Sequence, residues 1–218
     1  MTDFAAARRM MVDGQVRTSD VTDLRIIAAM LEVPRERFVP SARAALAYLD
    51  RDVPLGEGKG ARHLLKTMVL SKLLQAADVS ADDRVLDVGS ATGYSSAVLS
   101  RLAGEVVALE EDANLARQAA ENLRSSANVT IATGPLIAGW PGAAPYDVVV
   151  LNGATEIVPE TLLRQLNDGG RLVCVLGARP STKAMLYCRS GSDFGGRPIF
   201  DAAAPLLPGF VKPPAFAF

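Results

Sequence analysis

Short apolar runs alternate with amphipathic segments through the middle of this chain. Runs rich in Val and Leu predict strands at 83–88, 104–110, 128–132, 146–151 and 171–176. Apolar positions at helical spacing, with Pro159 as one helix start, predict helices at 93–103, 113–124 and 159–166. Strands that alternate with helical crossovers pair in parallel and are buried on both faces. The pattern therefore predicts an α/β fold with a doubly wound sheet.

The segment before this core has a weaker, mainly helical pattern. Residues 4–14 are predicted to form a helix. Asp20 is predicted to cap a second helix that has Asp23 in its first turn and ends at Pro34. A third helix is predicted from His63 to Ala77, after an irregular, glycine-rich stretch.

Two further strands are predicted after the core, at 183–189 and 198–201, separated by a Gly/Ser turn at 190–196. The tail from Pro205 to Phe218 is rich in proline and aromatic residues, with Phe210, Phe216 and Phe218 near its end. We expect the tail to dock on the domain or on a second subunit. The sequence does not indicate an oligomeric state.

The loop that follows the strand at 83–88 is the most informative segment. It reads D-x-G-x-x-x-G, with Asp87 at the strand end and a helix starting at Tyr94. Because glycine has no Cβ, the amides of this loop and helix start can approach a ligand closely. This corner of a doubly wound sheet binds adenosine cofactors. The residues predicted to bind one here are Asp87, Gly89, Ser90, Ala91, Gly93 and Tyr94. The alternative is a tight strand-to-helix turn without a ligand.

Two acids near this loop each have two interpretations. Glu110 ends the next strand, where an acid accepts hydrogen bonds from ribose hydroxyls. Alternatively, it is an exposed acid beside Glu111 and Asp112 at a helix start. Asp87 either binds the cofactor's ammonium group or anchors the loop, and the sequence favours neither role.

Composition narrows the possible functions. The 218 residues include 23 basic and 24 acidic side chains, so no excess of positive charge indicates nucleic-acid binding. Two cysteines, no C-x-x-C motif and a single histidine, His63, argue against a metal site or a histidine triad. The N-terminus lacks the pattern of a signal peptide, and no apolar run reaches membrane-spanning length. The sequence predicts a cytoplasmic protein that does not bind membranes.

Several motifs together resemble those of the protein-L-isoaspartate O-methyltransferase family. Beside the glycine loop and Glu110, they comprise Arg9–Val12 with Gln15, Val33–Pro40, Ala47-Tyr48, Asp52–Gly56, Gly139–Pro141, Ala144–Asp147 and Gly169–Val173. The resemblance covers about residues 8–177. It implies a Rossmann-like, S-adenosylmethionine (SAM)-dependent methyltransferase fold with an N-terminal helical addition. It also implies methyl transfer to the free α-carboxylate of isoaspartyl residues in damaged protein. Such a carboxylate has a pKa of roughly 3.3–3.7 and needs no general base near neutral pH.

Three segments depart from the family's pattern. Arg62 falls where the family has a serine that handles the substrate carboxylate; it is predicted to bind that carboxylate bidentately, or to be a surface arginine without a role. Gly134-Pro135-Leu136 stands where the family has Gly-Asp-Gly, so Pro135 replaces the acid that contacts adenine, and the adenine is predicted to meet an apolar wall. Asn152 replaces a threonine and is predicted to restore a polar contact or to cap the strand.

These departures leave two alternatives to an isoaspartyl methyltransferase. One is a SAM methyltransferase for another substrate, with Arg62 and Lys59 recognising an anion. The other is a family member that has lost catalysis. We predict a single domain in which 1–60 form the N-terminal addition, 61–177 the cofactor-binding core, and 178–218 the C-terminal strands and tail.

Overall fold

The computed structural model describes residues 3–58, 60–177 and 181–213. Lys59 and the terminal aromatics Phe216 and Phe218 lie outside these residues. The helices are α1 (Phe4–Met11), α2 (Leu24–Glu32), α3 (Thr67–Ala77), α4 (Tyr94–Leu99), α5 (Ala113–Asn122) and α6 (Glu160–Leu163). The strands are β1 (Val53–Pro54), β2 (His63–Leu64), β3 (Arg84–Val88), β4 (Glu105–Glu110), β5 (Val129–Thr133), β6 (Tyr146–Thr155), β7 (Leu166–Leu176), β8 (Lys183–Ser190) and β9 (Asp193–Asp201).

The main sheet has the order β5-β4-β3-β6-β7-β8-β9 within the described residues. Strands β3 to β7 pair in parallel, which confirms the predicted α/β class. Strands β8 and β9 are antiparallel to their neighbours because their short connections leave no room for a crossover helix. The strand order reverses between β3 and β6, and a sheet of this type binds ligands at the carboxyl ends beside such a reversal.

Two apolar layers cover the sheet, as the continuous Val and Leu runs predict. Val148 and Val150 of β6 face one layer, which includes side chains of α1, α2 and α3. Val149 and Leu151 face the other, which includes Leu136 and residues of the tail. Successive strand residues point to opposite faces, so all four residues from Val148 to Leu151 are buried.

Several predicted boundaries in the N-terminal segment are wrong. Asp23, not Asp20, caps α2: its carboxylate accepts from the Arg25 amide at 2.8 Å. Asp20 instead adopts φ 61°, which ends the preceding helical turn. Helix α3 begins at Thr67 because His63 pairs with Pro54 in the small β1–β2 sheet.

Other boundaries differ later in the chain. Strand β9 begins at Asp193, so the turn before it is much shorter than the predicted 190–196. Helix α6 ends at Leu163, and β7 already begins at Leu166. No helix among the described residues has the length and hydropathy needed to cross a membrane.

Part of the tail docks on this domain, at the carboxyl edge of the sheet. Pro205 O accepts from the Ala154 amide at 2.7 Å, and the Leu207 amide donates to Ala154 O at 2.9 Å. The Glu156 amide donates to Phe210 O at 2.9 Å. Leu207 and Phe210 are almost fully buried. The segment 205–210 is therefore fixed beside the end of β6.

Candidate functional site

The glycine loop leaves β3 in a conformation that requires glycine. Gly89 and Gly93 have φ of 74° and 96°, which strain an L side chain. The amides of Gly89 and Ser90 both donate to Leu109 O, at 2.8 and 3.1 Å. These bonds hold the loop against β4 and place it directly beside the end of that strand.

Asp87 lies beneath the loop and is fully buried. Its oxygens accept from the hydroxyls of Ser95 and Ser96 at 2.7 and 2.5 Å and from Asn152 Nδ2 at 2.5 Å. Burial raises the pKa of Asp87, and the three hydrogen bonds oppose that change. Both oxygens are engaged by the protein, which favours the anchoring role over a direct contact with a ligand.

Asn152 lies within β6 and connects it to the end of β3, so it does not cap a strand. Besides Asp87, its amide nitrogen contacts Val88 O at 3.4 Å, so it ties β6 to the end of β3. Its side chain is nearly buried. The polar contact predicted for Asn152 is made with the protein, and a contact with a cofactor stays a prediction.

Glu110 is fully buried at the end of β4, which contradicts the alternative of an exposed acid. Its carboxylate accepts from the backbone amides of Ala91, Glu111 and Asp112 at 2.8, 3.0 and 3.2 Å. Three amide donors hold this carboxylate in a fixed orientation. They also orient it towards the space above the glycine loop.

Arg62 reaches into that same space. Its Nη2 donates to Glu110 Oε2 at 3.2 Å and to Gly89 O at 3.0 Å, and its Nε lies 3.4 Å from Glu110 Oε1. Only 9% of the side chain is exposed. A Cβ placed on Gly89 would lie 2.6 Å from Nη2. Arg62 is therefore a buried partner of the acid, not a surface residue without contacts.

Apolar side chains complete the cover over the loop. The same Cβ position on Gly89 lies 3.0 Å from Leu207 Cδ2 and 3.5 Å from Leu136 Cδ1. Leu136 is fully buried, and Pro135 just before it is exposed, so an apolar wall for the adenine stays a prediction. Leu207 comes from the docked tail, and no sequence motif indicated that it reaches the site.

Tyr94 lies on the far side of the loop, between two residues of the N-terminal segment. Its ring makes an edge contact with Phe38 at 5.6 Å and lies 4.5 Å below the Arg35 guanidinium. Arg35 is fully buried and donates to Ala47 O and Leu65 O at 2.8 and 2.6 Å. Burial lowers the pKa of Arg35. These contacts attach the N-terminal segment to the start of α4.

A small cavity remains between the loop and β2. It measures about 10 Å³, roughly the space of one water, and His63, Ser90, Tyr94 and Asn152 are among its lining residues. Within the part of the chain that the structure describes, Ser90 Oγ, His63 Nδ1 and Tyr94 Oη are buried without a hydrogen-bond partner. Polar atoms without partners at this position fit a ligand-binding corner.

The predicted site residues thus fall into two groups. Arg62, Gly89, Glu110 and Leu136 surround one space at the carboxyl end of the sheet. Asp87, Asn152 and Tyr94 support that space from below. Ala91 contributes its amide to Glu110. In residues 3–58, 60–177 and 181–213, no group of three or more His, Cys, Asp or Glu is placed to hold a metal ion.

Comparison with known proteins decides the family. The family model described as "Protein-L-isoaspartate(D-aspartate) O-methyltransferase (PCMT)" matches residues 7–194. The chain belongs to this family. A protein-L-isoaspartate O-methyltransferase 1 of Rhodopseudomonas palustris is 37% identical over 187 residues, which cover 85% of this chain and 75% of that protein. One from Geotalea uraniireducens is 36% identical over 193 residues, covering 88% and 87%.

Solved structures of the family share the fold. A protein-L-isoaspartate O-methyltransferase aligns with a TM-score of 0.82 and 25% identity, over 93% of this chain and 66% of that one. A Plasmodium falciparum protein described as a putative member, in complex with S-adenosyl-L-homocysteine, aligns with a TM-score of 0.77 and 16% identity, over 92% and 97%. The Rossmann-like methyltransferase fold implied by the motifs is confirmed.

Proposed function

We propose that this protein transfers the methyl group of SAM to the free α-carboxylate of isoaspartyl residues in damaged proteins. One observation carries the proposal. The glycine loop lies at the strand-order reversal, and the buried Glu110, held by a backbone amide of that loop, lies beside it. Membership of the isoaspartyl methyltransferase family over residues 7–194 supports the same reaction.

The chemical groups of these residues match those of the cofactor. Glu110 would accept from the ribose hydroxyls, and Leu136 with Pro135 would contact the adenine. Backbone amides of the loop and the partnerless Ser90 hydroxyl would contact the rest of the molecule. The proposed set is Asp87, Gly89, Ser90, Ala91, Gly93, Tyr94, Glu110, Pro135, Leu136 and Asn152, in which Asp87, Tyr94 and Asn152 act by supporting the loop.

SAM supplies an electrophilic methyl group on a positively charged sulfur. The acceptor is a carboxylate that is already ionised, so the protein's task is to place it and to exclude water. A general base is unnecessary, which agrees with a chain that has a single histidine. The predicted role of Arg62 as a ligand of the substrate carboxylate requires its guanidinium to leave Glu110.

Labelled SAM and a pair of matched peptides test the reaction. The peptides differ only in whether one residue is isoaspartyl or aspartyl. We expect a base-labile methyl ester on the isoaspartyl peptide and none on the aspartyl peptide. Methylation of both peptides alike would favour a carboxyl methyltransferase with another substrate. No ester on either would contradict the proposal.

We also propose that isoaspartyl proteins or peptides are the partners and that the protein acts in the cytoplasm. Cys174 and Cys188 are both free thiols, which fits a reducing compartment. The division into an N-terminal addition (1–60), a core (61–177) and C-terminal strands and tail (178–218) stays a prediction for the whole chain.

A further inference from the structure

The acid proposed to hold the ribose already has a cationic partner from the chain itself. Two nitrogens of Arg62 face the two oxygens of Glu110, at 3.2 and 3.4 Å. A third contact joins Nη2 to Gly89 O. The guanidinium therefore occupies the positions from which ribose hydroxyls would donate to the carboxylate.

Glu110 does not need Arg62 to remain satisfied. Three backbone amides already donate to its oxygens, and a carboxylate offers about four acceptor positions. Removal of Arg62 would leave a buried but hydrogen-bonded acid with about one free acceptor position, on Oε2. A ribose hydroxyl can donate to that position.

Arg62 is also the part of the cover that can move. Leu207 belongs to segment 205–210, which backbone hydrogen bonds fix to the end of β6. Arg62 is a single long side chain that lies next to a solvent-open cleft of about 410 Å³. Glu57, which pairs with Arg43, and Asp112, which caps α5, line that cleft, so the guanidinium would move into solvent beside two acids.

We infer that Arg62 is an internal competitor of the cofactor, which determines cofactor affinity by occupying Glu110 until the ribose displaces it. The inference rests on the proposed function, because it assumes that SAM binds at Glu110. A ligand that must first break this ion pair binds more weakly than it would to the open site.

Calorimetric titration with S-adenosyl-L-homocysteine tests the inference, since this probe carries the same adenosine and measures binding without turnover. The variants are Arg62→Ala and Arg62→Lys. The control is Arg84→Ala, which removes an arginine paired with Glu105 at the opposite end of the same strand pair. We expect Arg62→Ala to bind about tenfold more tightly than wild type. The affinity of Arg62→Lys should lie between those of wild type and Arg62→Ala, because an ammonium group cannot make the two-nitrogen contact with Glu110. The affinity of Arg84→Ala should match that of wild type.

The outcomes separate this inference from the proposed function. Equal affinity of wild type and Arg62→Ala would overturn the competitor role and leave cofactor binding intact. Weaker binding by Arg62→Ala would make Arg62 a cofactor ligand and would also overturn it. Absence of binding in every variant, with each variant folded by circular dichroism, would overturn both the inference and the proposed function.

Discussion

At the scale of a single residue, the imidazole signal of His63 reports on the site without overlap, because the chain has no other histidine. Its half-buried ring lines the cavity beside the glycine loop. Burial lowers the pKa of His63, while Asp52 nearby acts in the opposite direction. The neutral ring is therefore the form that the folded protein favours.

The pH dependence of stability follows from that direction. A folded-state pKa below the unfolded value of about 6.5 means that the unfolded chain binds the proton first as pH falls. The contribution of neutral His63 to the free energy of unfolding is present above pH 6.5 and is lost as pH falls through the folded-state pKa. We expect an NMR titration of the single imidazole to give a pKa below 6.5. A value at or above 6.5 would contradict the buried environment.

Local sequence predicted some site residues but could not predict their contacts. Gly89 and Gly93 stand out because a left-handed backbone selects glycine. Glu110 stands out because it ends a strand one βα unit later. Arg62 lies 48 residues from Glu110 along the chain, so only the folded arrangement brings them together. Only its position in the family's motif predicted that Arg62 binds the substrate carboxylate, and that role stays a prediction.

At the scale of elements, helix α2 shows how a cap can be misplaced. Asp20 and Asp23 both precede the apolar residues of this helix, and either residue type can cap. The backbone decides between them: Asp23 is extended, whereas Asp20 is left-handed. The main strands were easier to predict because their apolar runs are long, but the two-residue strands β1 and β2 carry no periodic signal.

Paired substitutions test the cap. Asp23→Ala should lower the free energy of unfolding by about 1 kcal/mol, because it leaves an amide at the start of α2 without its acceptor. Asp20→Gly is the matched control: glycine accepts the left-handed backbone, so stability should be unchanged or slightly higher. Urea denaturation measures both. A greater loss for Asp20→Gly than for Asp23→Ala would refute the assignment.

At the scale of the whole molecule, the tail packs closely against the sheet edge at Gly153. A Cβ on this residue would lie 2.6 Å from Leu207 Cγ and 2.7 Å from Pro205 O. Backbone that approaches this closely leaves room for glycine only. The sequence predicted that the tail docks, but not where, since no motif around Pro205 and Leu207 indicates pairing with β6.

A Gly153→Ala substitution should loosen this contact. The methyl group meets the tail's backbone as well as a side chain, so we expect a loss of about 1–3 kcal/mol in the free energy of unfolding and faster proteolysis after residue 201. Gly195→Ala is the control, because a Cβ there meets no atom within 4 Å. Equal proteolysis of the two variants would show that the tail does not depend on Gly153.

Initial-rate kinetics with SAM and an isoaspartyl peptide, for wild type and Glu110→Gln, test the central claim most directly. We expect wild type to form the methyl ester. We also expect Glu110→Gln to raise the KM for SAM by about tenfold or more, because hydrogen bonds from the ribose to a charged acceptor are worth roughly 1.5–3 kcal/mol. An unchanged KM would contradict the placement of the cofactor at Glu110. No methyl ester from folded wild-type protein would contradict the function itself.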